Sequence, residues 1–387
     1  MTLPLVGRNE VKAAAILPGA GRSGRSISTT LNNHTASAAD PIPSATTSVY
    51  TTATEPNHST DKNPSPVRHS LPLLQNPVPY FQPVTTFQHQ PHYILSHATA
   101  AYPKPRRESA SVPSPPLTPT RHYSSFDNGE DAWFERYDAV GIADGVGGWK
   151  GVKGANSALY SRKLMHQCYE ELEKYDNIED DRFYEYNEAD PVMILQRSYE
   201  QSSQEAREEG ILGSTTAIIA ILRKDELRIA NLGDCGLSII RNHEYIFRTE
   251  EQQHSFNFPY QLGPNSQDEP GSAEKFTIKL HKNDIIVVGS DGLFDNLFDE
   301  DILDEVNEQL ATVNLDRRHN AKLDPKVVAE ALALRARSVA EDTRAPSSPF
   351  QSRAVQEGFH YQGGKSDDIS VIVAVVSDSE DTPDRRL

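Results

Sequence analysis

The residues of this chain best suited to chemistry are carboxylates at the ends of apolar runs, several of them beside a glycine. Asp144-Gly145 closes the run that contains Ala139, Val140, Ile142 and Ala143. Ser290-Asp291-Gly292 follows the apolar stretch 285–289, and Asp295 comes one helical turn later. Asp234 follows Asn231-Leu232-Gly233, Glu130-Asp131 open the stretch before Asp144, and Asp367-Asp368 directly precede the apolar stretch 369–376. A single Asp-Gly reads as a turn. Several acid sites sharing this placement, with no local lysine or arginine to balance them, read instead as one group at the edge of a sandwich. Such carboxylates repel one another, and a bound cation is the simplest way to hold them together. All-oxygen donors without a matching Cys or His set favour Mg²⁺ or Mn²⁺ over Zn²⁺ or Cu²⁺. Two such ions about 4 Å apart can acidify a shared water and aim it in line at phosphorus or at a carbonyl. Hydrolysis of a phosphoester is the natural chemistry of such a group.

Elements that bring those acids together can be read from periodicity and punctuation. Residues 131–137 and 138–144 read as strands, as do 214–222, 226–231, 236–241, 244–248, 276–280, 284–290 and 369–376. A first strand lies within 82–102, ahead of an exposed proline-rich insertion over 103–120. Helices are expected over 156–175, from the Asp190-Pro191 cap to about residue 208, from Asp299, and from Asp324-Pro325. Residues 343–364 read as a loop. Strands in antiparallel runs with helical pairs between them predict an α+β fold, a four-layer αββα sandwich of two packed antiparallel sheets flanked by helices.

Composition narrows the function. The chain has 387 residues and a net charge of −17, which argues against a nucleic-acid footprint. The two cysteines, Cys168 and Cys235, match no metal or redox spacing, and no apolar run has the length of a membrane span. Residues 1–40 are basic and rich in Ser, Ala and Thr, with Arg8, Lys12, Arg22 and Arg25 against Glu10. That composition predicts a mitochondrial transit peptide and hence the matrix. A disordered linker is expected over 41–85, a catalytic domain over 86–378 and an acidic tail over 379–387.

In order along the chain, Glu130-Asp131, Ala143-Asp144-Gly145, Gly213-Ser214-Thr215-Thr216, Asn231-Leu232-Gly233-Asp234, Ser290-Asp291-Gly292-Leu293-Phe294-Asp295 and Ser366-Asp367-Asp368-Ile369-Ser370 resemble the motifs of protein phosphatase 2C, the metal-dependent Ser/Thr phosphatases. The stretch Asp144-Gly145-Val146-Gly147-Gly148-Trp149 and the Glu251-Gln252-Gln253-His254 segment look most like that family's mitochondrial branch. The resemblance implies that Asp144 bridges two ions, that the Gly145 carbonyl binds one, and that Asp291 and Asp367 bind the other. Asp144, Asp291 and Asp367 would thus hold the water that attacks a phosphoprotein substrate. Glu130 and Asp131 fall where the family places acids that reach the metals through water, and Asp234 and Asp295 match a third, weaker metal site.

Two positions depart from the family pattern. Val146 stands where many members carry a histidine proposed as general acid, and Phe126 where many carry a phosphate-gripping arginine. The leaving oxygen must take its proton from water at the metals or from another side chain; His254 and His122 are the imidazoles to consider. Arg121 and Arg136 are candidates to reach phosphate. A pseudophosphatase that binds a partner without turnover is the alternative these losses motivate, and a metal-dependent nuclease or small-molecule phosphohydrolase fits the acids but not the motif order.

Overall fold

Residues 217–223 and 369–376 are almost continuously apolar, so strands made from them must be covered on both faces. The computed structural model describes residues 92–105, 123–149, 151–315 and 322–379, all within one unit of the chain. The expected transit peptide, the linker, residues 106–120 of the proline-rich insertion, Arg121, His122 and residues 380–387 lie outside the described residues.

In chain order, β1 (Tyr93–Tyr102), β2 (Phe126–Asn128), β3 (Asp131–Arg136) and β4 (Ala139–Asp144) precede α1 (Ser157–Glu173) and α2 (Pro191–Glu209). A meander follows, β5 (Ala217–Arg223), β6 (Glu226–Leu232), β7 (Gly236–Arg241) and β8 (Glu244–Arg248), then the small hairpin β9 (Gln253–Ser255) and β10 (Phe258–Pro259). β11 (Glu274–Lys279) and β12 (Ile285–Gly289) lead to α3 (Asp291–Phe294), α4 (Asp299–Leu315), α5 (Pro325–Glu341) and α6 (Pro349–Gln356), and β13 (Ile369–Asp378) comes last. One sheet runs β1-β13-β12-β7-β8 and the other β11-β6-β5-β4-β3-β2, with antiparallel pairing throughout.

Three apolar layers separate four structural ones, as expected for an αββα sandwich. Between the sheets, Val140, Ile142, Ile218 and Ile229 meet Leu237, Ile239, Ile286 and Ile372. The alternate side chains Phe134, Ala143, Ile219 and Leu232 pack on Leu164, Cys168 and Leu195 of α1 and α2. On the opposite side Val287, Val371 and Val373 pack on Ile302, Val306, Val328 and Leu332 of α4 and α5. Alternation is hidden in the sequence because both strand faces are apolar.

Asp190 accepts from the Val192 N–H and Asp324 from Lys326, as their Asp-Pro starts predict, and Asn156, expected as the first residue of its helix, is its cap, accepting from the Leu159 N–H. The expected loop over 343–364 instead contains α6, capped by the Ser348 hydroxyl accepting from the Gln351 N–H at 3.1 Å with Pro349 at its first position. This Ser-Pro start was legible, but the helix is too short to show an apolar periodicity.

The end of β3 and β4 remote from Asp131 and Asp144 is locked by a buried ion pair. Arg223 Nη1 donates to Asp138 Oδ2 at 2.9 Å, its Nε donates to the Tyr186 carbonyl at 2.7 Å, and its guanidinium lies 4.0 Å over the Tyr186 ring. Removing Arg223 would leave the buried Asp138 carboxylate with Arg136 as its remaining cation and Oδ2 without its guanidinium partner. Arg223→Met should therefore lower stability by about 3–5 kcal/mol, read from urea unfolding; a loss below about 1 kcal/mol would show that the pair is not a clamp.

Candidate metal centre

Strand register gathers the acids. Asp131 pairs directly with Asp144 across β3 and β4. In the other sheet Gly289 pairs with Gly236 on one side and Val371 on the other, so Asp234, Asp291 and Asp367-Asp368 lie just past the ends of β7, β12 and β13. The short link 233–235 passes from β6 in one sheet to β7 in the other, which joins the two sets of strand ends. Two glycines permit the approach. A Cβ on Gly145 would stand 2.6 Å from the Glu130 carbonyl oxygen, and one on Gly292 would stand 2.0 Å from that of Asp368. The Asp-Gly pairs are therefore places where backbones meet beside an acid, and a larger residue would part them.

Asp367 and Asp368 divide their tasks. The buried Asp368 carboxylate accepts from the backbone N–H groups of Glu130 and Lys104, both at 2.9 Å, and so ties the start of β3 to the chain leaving β1. Asp367 faces the other acids. Its neighbours include two lysines that correct the expectation of an unbalanced cluster. Lys104 Nζ lies 2.9 Å from Glu130 Oε2, 2.9 Å from Asp367 Oδ1 and 3.3 Å from Asp368 Oδ2. Lys365 Nζ donates to Asp291 Oδ2 and, at 2.5 Å, to Asp295 Oδ2, and lies 3.4 Å from Asp367 Oδ2. Arg353 of α6 bridges Asp295 and Glu251.

Lys104 falls in the proline-rich stretch expected to be an exposed insertion. Pairing of Tyr102 with Ile369 carries it to the site, a relation across the whole domain that no local pattern reveals. Lys365, two residues ahead of Asp367, was visible in the sequence.

Among the described residues no three acids, histidines or cysteines form a ready ligand set; the Lys365 ammonium stands among Asp291, Asp295 and Asp367. The cluster nevertheless fits further cations. Both oxygens of Asp131 and Oδ1 of Asp291 are buried without a hydrogen-bond partner, although the Ser290 and Ser370 hydroxyls face Asp131. Buried polar atoms are rarely left so. Glu130, Asp131, Asp144, Asp234, Asp291, Asp295, Asp367 and Asp368 outnumber Lys104, Lys365 and Arg353.

Protonation follows position. Burial, then the charges of Asp291, Asp131 and Asp367, push Asp144 well above the carboxylate range. Burial and Asp368 do the same to Asp131, burial and Asp291 to Asp234, and burial raises Asp295. Asp291 is pushed up to about 6, chiefly by burial. Burial also acts on Asp367, but Lys365 and Lys104 outweigh it and hold that carboxyl down to about 2.

Other candidates are placed elsewhere. His254 Nε2 lies 3.0 Å from Asp268 Oδ1, and its ring stacks on Tyr260 at 4.1 Å; its partners are not the site acids. Arg136 is buried against Asp138, Glu173 and Asp176 at the far end of β3, so it is spent on the fold and does not reach phosphate.

Comparison with known proteins shows the family. A family model described as Stage II sporulation protein E (SpoIIE) matches residues 135–377. Protein phosphatase PTC7 homolog of Homo sapiens is 35% identical over 267 residues, covering 65% of this chain and 81% of that protein. This chain belongs to the SpoIIE/protein phosphatase 2C family. Probable protein phosphatase 2C 80 of Arabidopsis thaliana is 37% identical over 254 residues, covering 65% of this chain and 55% of that protein. This family member thus spans about half the length of the curated plant relatives it matches. The X-ray structure of the photosystem II phosphatase PBCP superposes with a TM-score of 0.56 at 31% identity, covering 73% of this chain and 99% of that one.

A raised carboxyl favours the metal-free fold in its protonated form. For Asp291 that contribution is complete below the unfolded value and is lost as pH rises through about 6. Divalent ions bind the ionised form, so they should offset the loss. Mn²⁺ should raise the melting temperature of the metal-stripped protein more at about pH 7.5 than at about pH 5. An equal or smaller rise at the higher pH would show that these acids do not hold the ion.

Proposed function

We propose that this chain is a Mg²⁺- or Mn²⁺-dependent protein serine/threonine phosphatase that hydrolyses phosphoserine and phosphothreonine in mitochondrial proteins. The observation that carries this reading is the set of unpartnered, buried carboxylate oxygens on Asp131 and Asp291, inside a cluster whose acids outnumber its cations. Asp144, the Gly145 carbonyl, Asp291 and Asp367 are the groups to hold two ions, which when bound would acidify water and stabilise negative charge on the phosphoryl oxygens. The chain's own part is to fix those oxygens on strand ends, exclude bulk water from Asp131 and Asp291, and aim positive charge at the substrate.

Lys104 suits the last task. Phe126 is exposed and stacks on Trp133 at a centroid distance of 5.8 Å, so it offers no charge. The Lys104 ammonium, paired with Glu130, Asp367 and Asp368 but partly exposed, is the cation at this edge that a phosphoryl group would meet in this reading. Its presence favours an active enzyme over a pseudophosphatase. Hydrolysis forms a bond from water oxygen to phosphorus and breaks the ester P–O bond, with a proton passing to the seryl or threonyl oxygen. Val146 cannot supply that proton, His254 is bound to Asp268 and His122 lies outside the described residues; this reading takes the proton from water.

Phosphate release by the full-length chain from an aryl phosphate should require Mn²⁺ or Mg²⁺ and stop in EDTA. Asp144→Asn should lower kcat on the order of a hundredfold or more, and Lys104→Met should lower kcat/KM about ten- to a hundredfold. Turnover that survives EDTA or Asp144→Asn would sink the proposal; intact metal binding without turnover would establish the pseudophosphatase instead. The mitochondrial assignment rests on the basic, Ser-rich segment 1–40. Deleting it from a fluorescent fusion should abolish import, and unchanged import would refute the assignment.

A further inference from the structure

The acids of the cluster differ in what their oxygens already do. Both oxygens of Asp131 and one of Asp291 lack partners. Asp295 has neither oxygen free, since Oδ1 accepts from Arg353 and Oδ2 accepts from Lys365 at 2.5 Å. It is only 4% exposed, so solvent offers no exchange of partners. An ammonium carries three N–H donors. Those of Lys365 are met by Asp291 and Asp295, with Asp367 Oδ2 at 3.4 Å.

The position of that ammonium is built, not borrowed from a free surface side chain. Asn296, almost fully buried, accepts from the Lys365 N–H at 2.9 Å and donates Nδ2 to the carbonyls of Lys365 and Gly292, both at 2.9 Å. Lys365 is thus fastened to the same turn that carries Asp291 and Asp295. Ahead of it, Gly364 passes so close to α5 that a Cβ would stand 2.0 Å from the Val339 carbonyl oxygen. The Phe350 ring, 5.1 Å from Nζ, covers the ammonium further.

From this geometry we infer that Lys365 is a built-in cation in the place of a third metal ion, so that the site takes two divalent ions and Asp295 binds none. The inference rests on the two-metal reading above and departs from the expectation that Asp234 and Asp295 hold a third ion. A fixed ammonium neutralises these acids at any metal concentration. It also exchanges no water, so it offers no extra Lewis acid.

Anomalous scattering from crystals of the protein in millimolar Mn²⁺, with calorimetric titration of the full-length chain, tests this directly. The wild type should hold two Mn²⁺ ions, neither of them touching Asp295. Lys365→Ala should gain a third, of millimolar affinity, among Asp234, Asp291 and Asp295. Lys365→Gln, which keeps the volume and drops the charge, serves where Lys365→Ala does not fold, and the wild-type count decides on its own if neither folds. A Mn²⁺ ion on Asp295 in the wild type, or only two ions in both charge-removed variants, would overturn the inference and leave the two-metal reading standing. No bound Mn²⁺ in the wild type would overturn both.

Discussion

Asp131 and Asp144 face each other across adjacent antiparallel strands, and the construction of that edge answers their repulsion. Like charges directly opposite in a sheet are unfavourable, and burial makes the charged forms costlier still. The fold meets this with groups drawn from distant parts of the chain. Lys104 arrives from beyond β1, Lys365 from just ahead of β13, and Arg353 from α6. Asp368 turns away to bind two backbone N–H groups. What remains unbalanced is centred on Asp131, Asp144 and Asp291, where the metal reading requires it.

Such a cluster needs a rigid platform, because acids free to separate would relax the repulsion and lose the site. Continuous burial supplies the rigidity. The inter-sheet layer fixes the spacing of the two sheets, and the helical layers cover their outer faces. Arg223 and Asp138 lock the remote end of the strands that present Asp131 and Asp144. Function therefore depends on residues at both ends of β3 and β4, for opposite reasons. One end pairs opposite charges, Arg223 and Arg136 against Asp138, and the other is left in need of charge.

The sandwich was largely legible because its strands are apolar runs and its helices open on Asn156, Asp190-Pro191 and Asp324-Pro325, whose physics is local. The acids were legible as strand-end residues beside glycines. The basic residues are less legible. Arg136 was a plausible phosphate ligand until its buried pairing with Asp138, Glu173 and Asp176 was seen. Lys104 lay in a proline-rich stretch, and only the β1–β13 register brings it to Asp367. Lys365 was close enough in sequence to be noticed, but nothing local says that its ammonium points at Asp295. Strand ends follow from pattern; which cation fills a gap follows from side-chain packing, which pattern does not encode.

The most direct measurement is the unfolding free energy of the metal-stripped protein and of Asp131→Asn, each with and without Mn²⁺. If unrelieved repulsion is the central constraint, Asp131→Asn stabilises the stripped protein by about 1–3 kcal/mol, because it removes a buried acid that must either carry a like charge or take up a proton on folding. The added stability from Mn²⁺ then shrinks by a comparable amount. A stripped Asp131→Asn protein that is less stable than the wild type, with an undiminished gain from Mn²⁺, would contradict it.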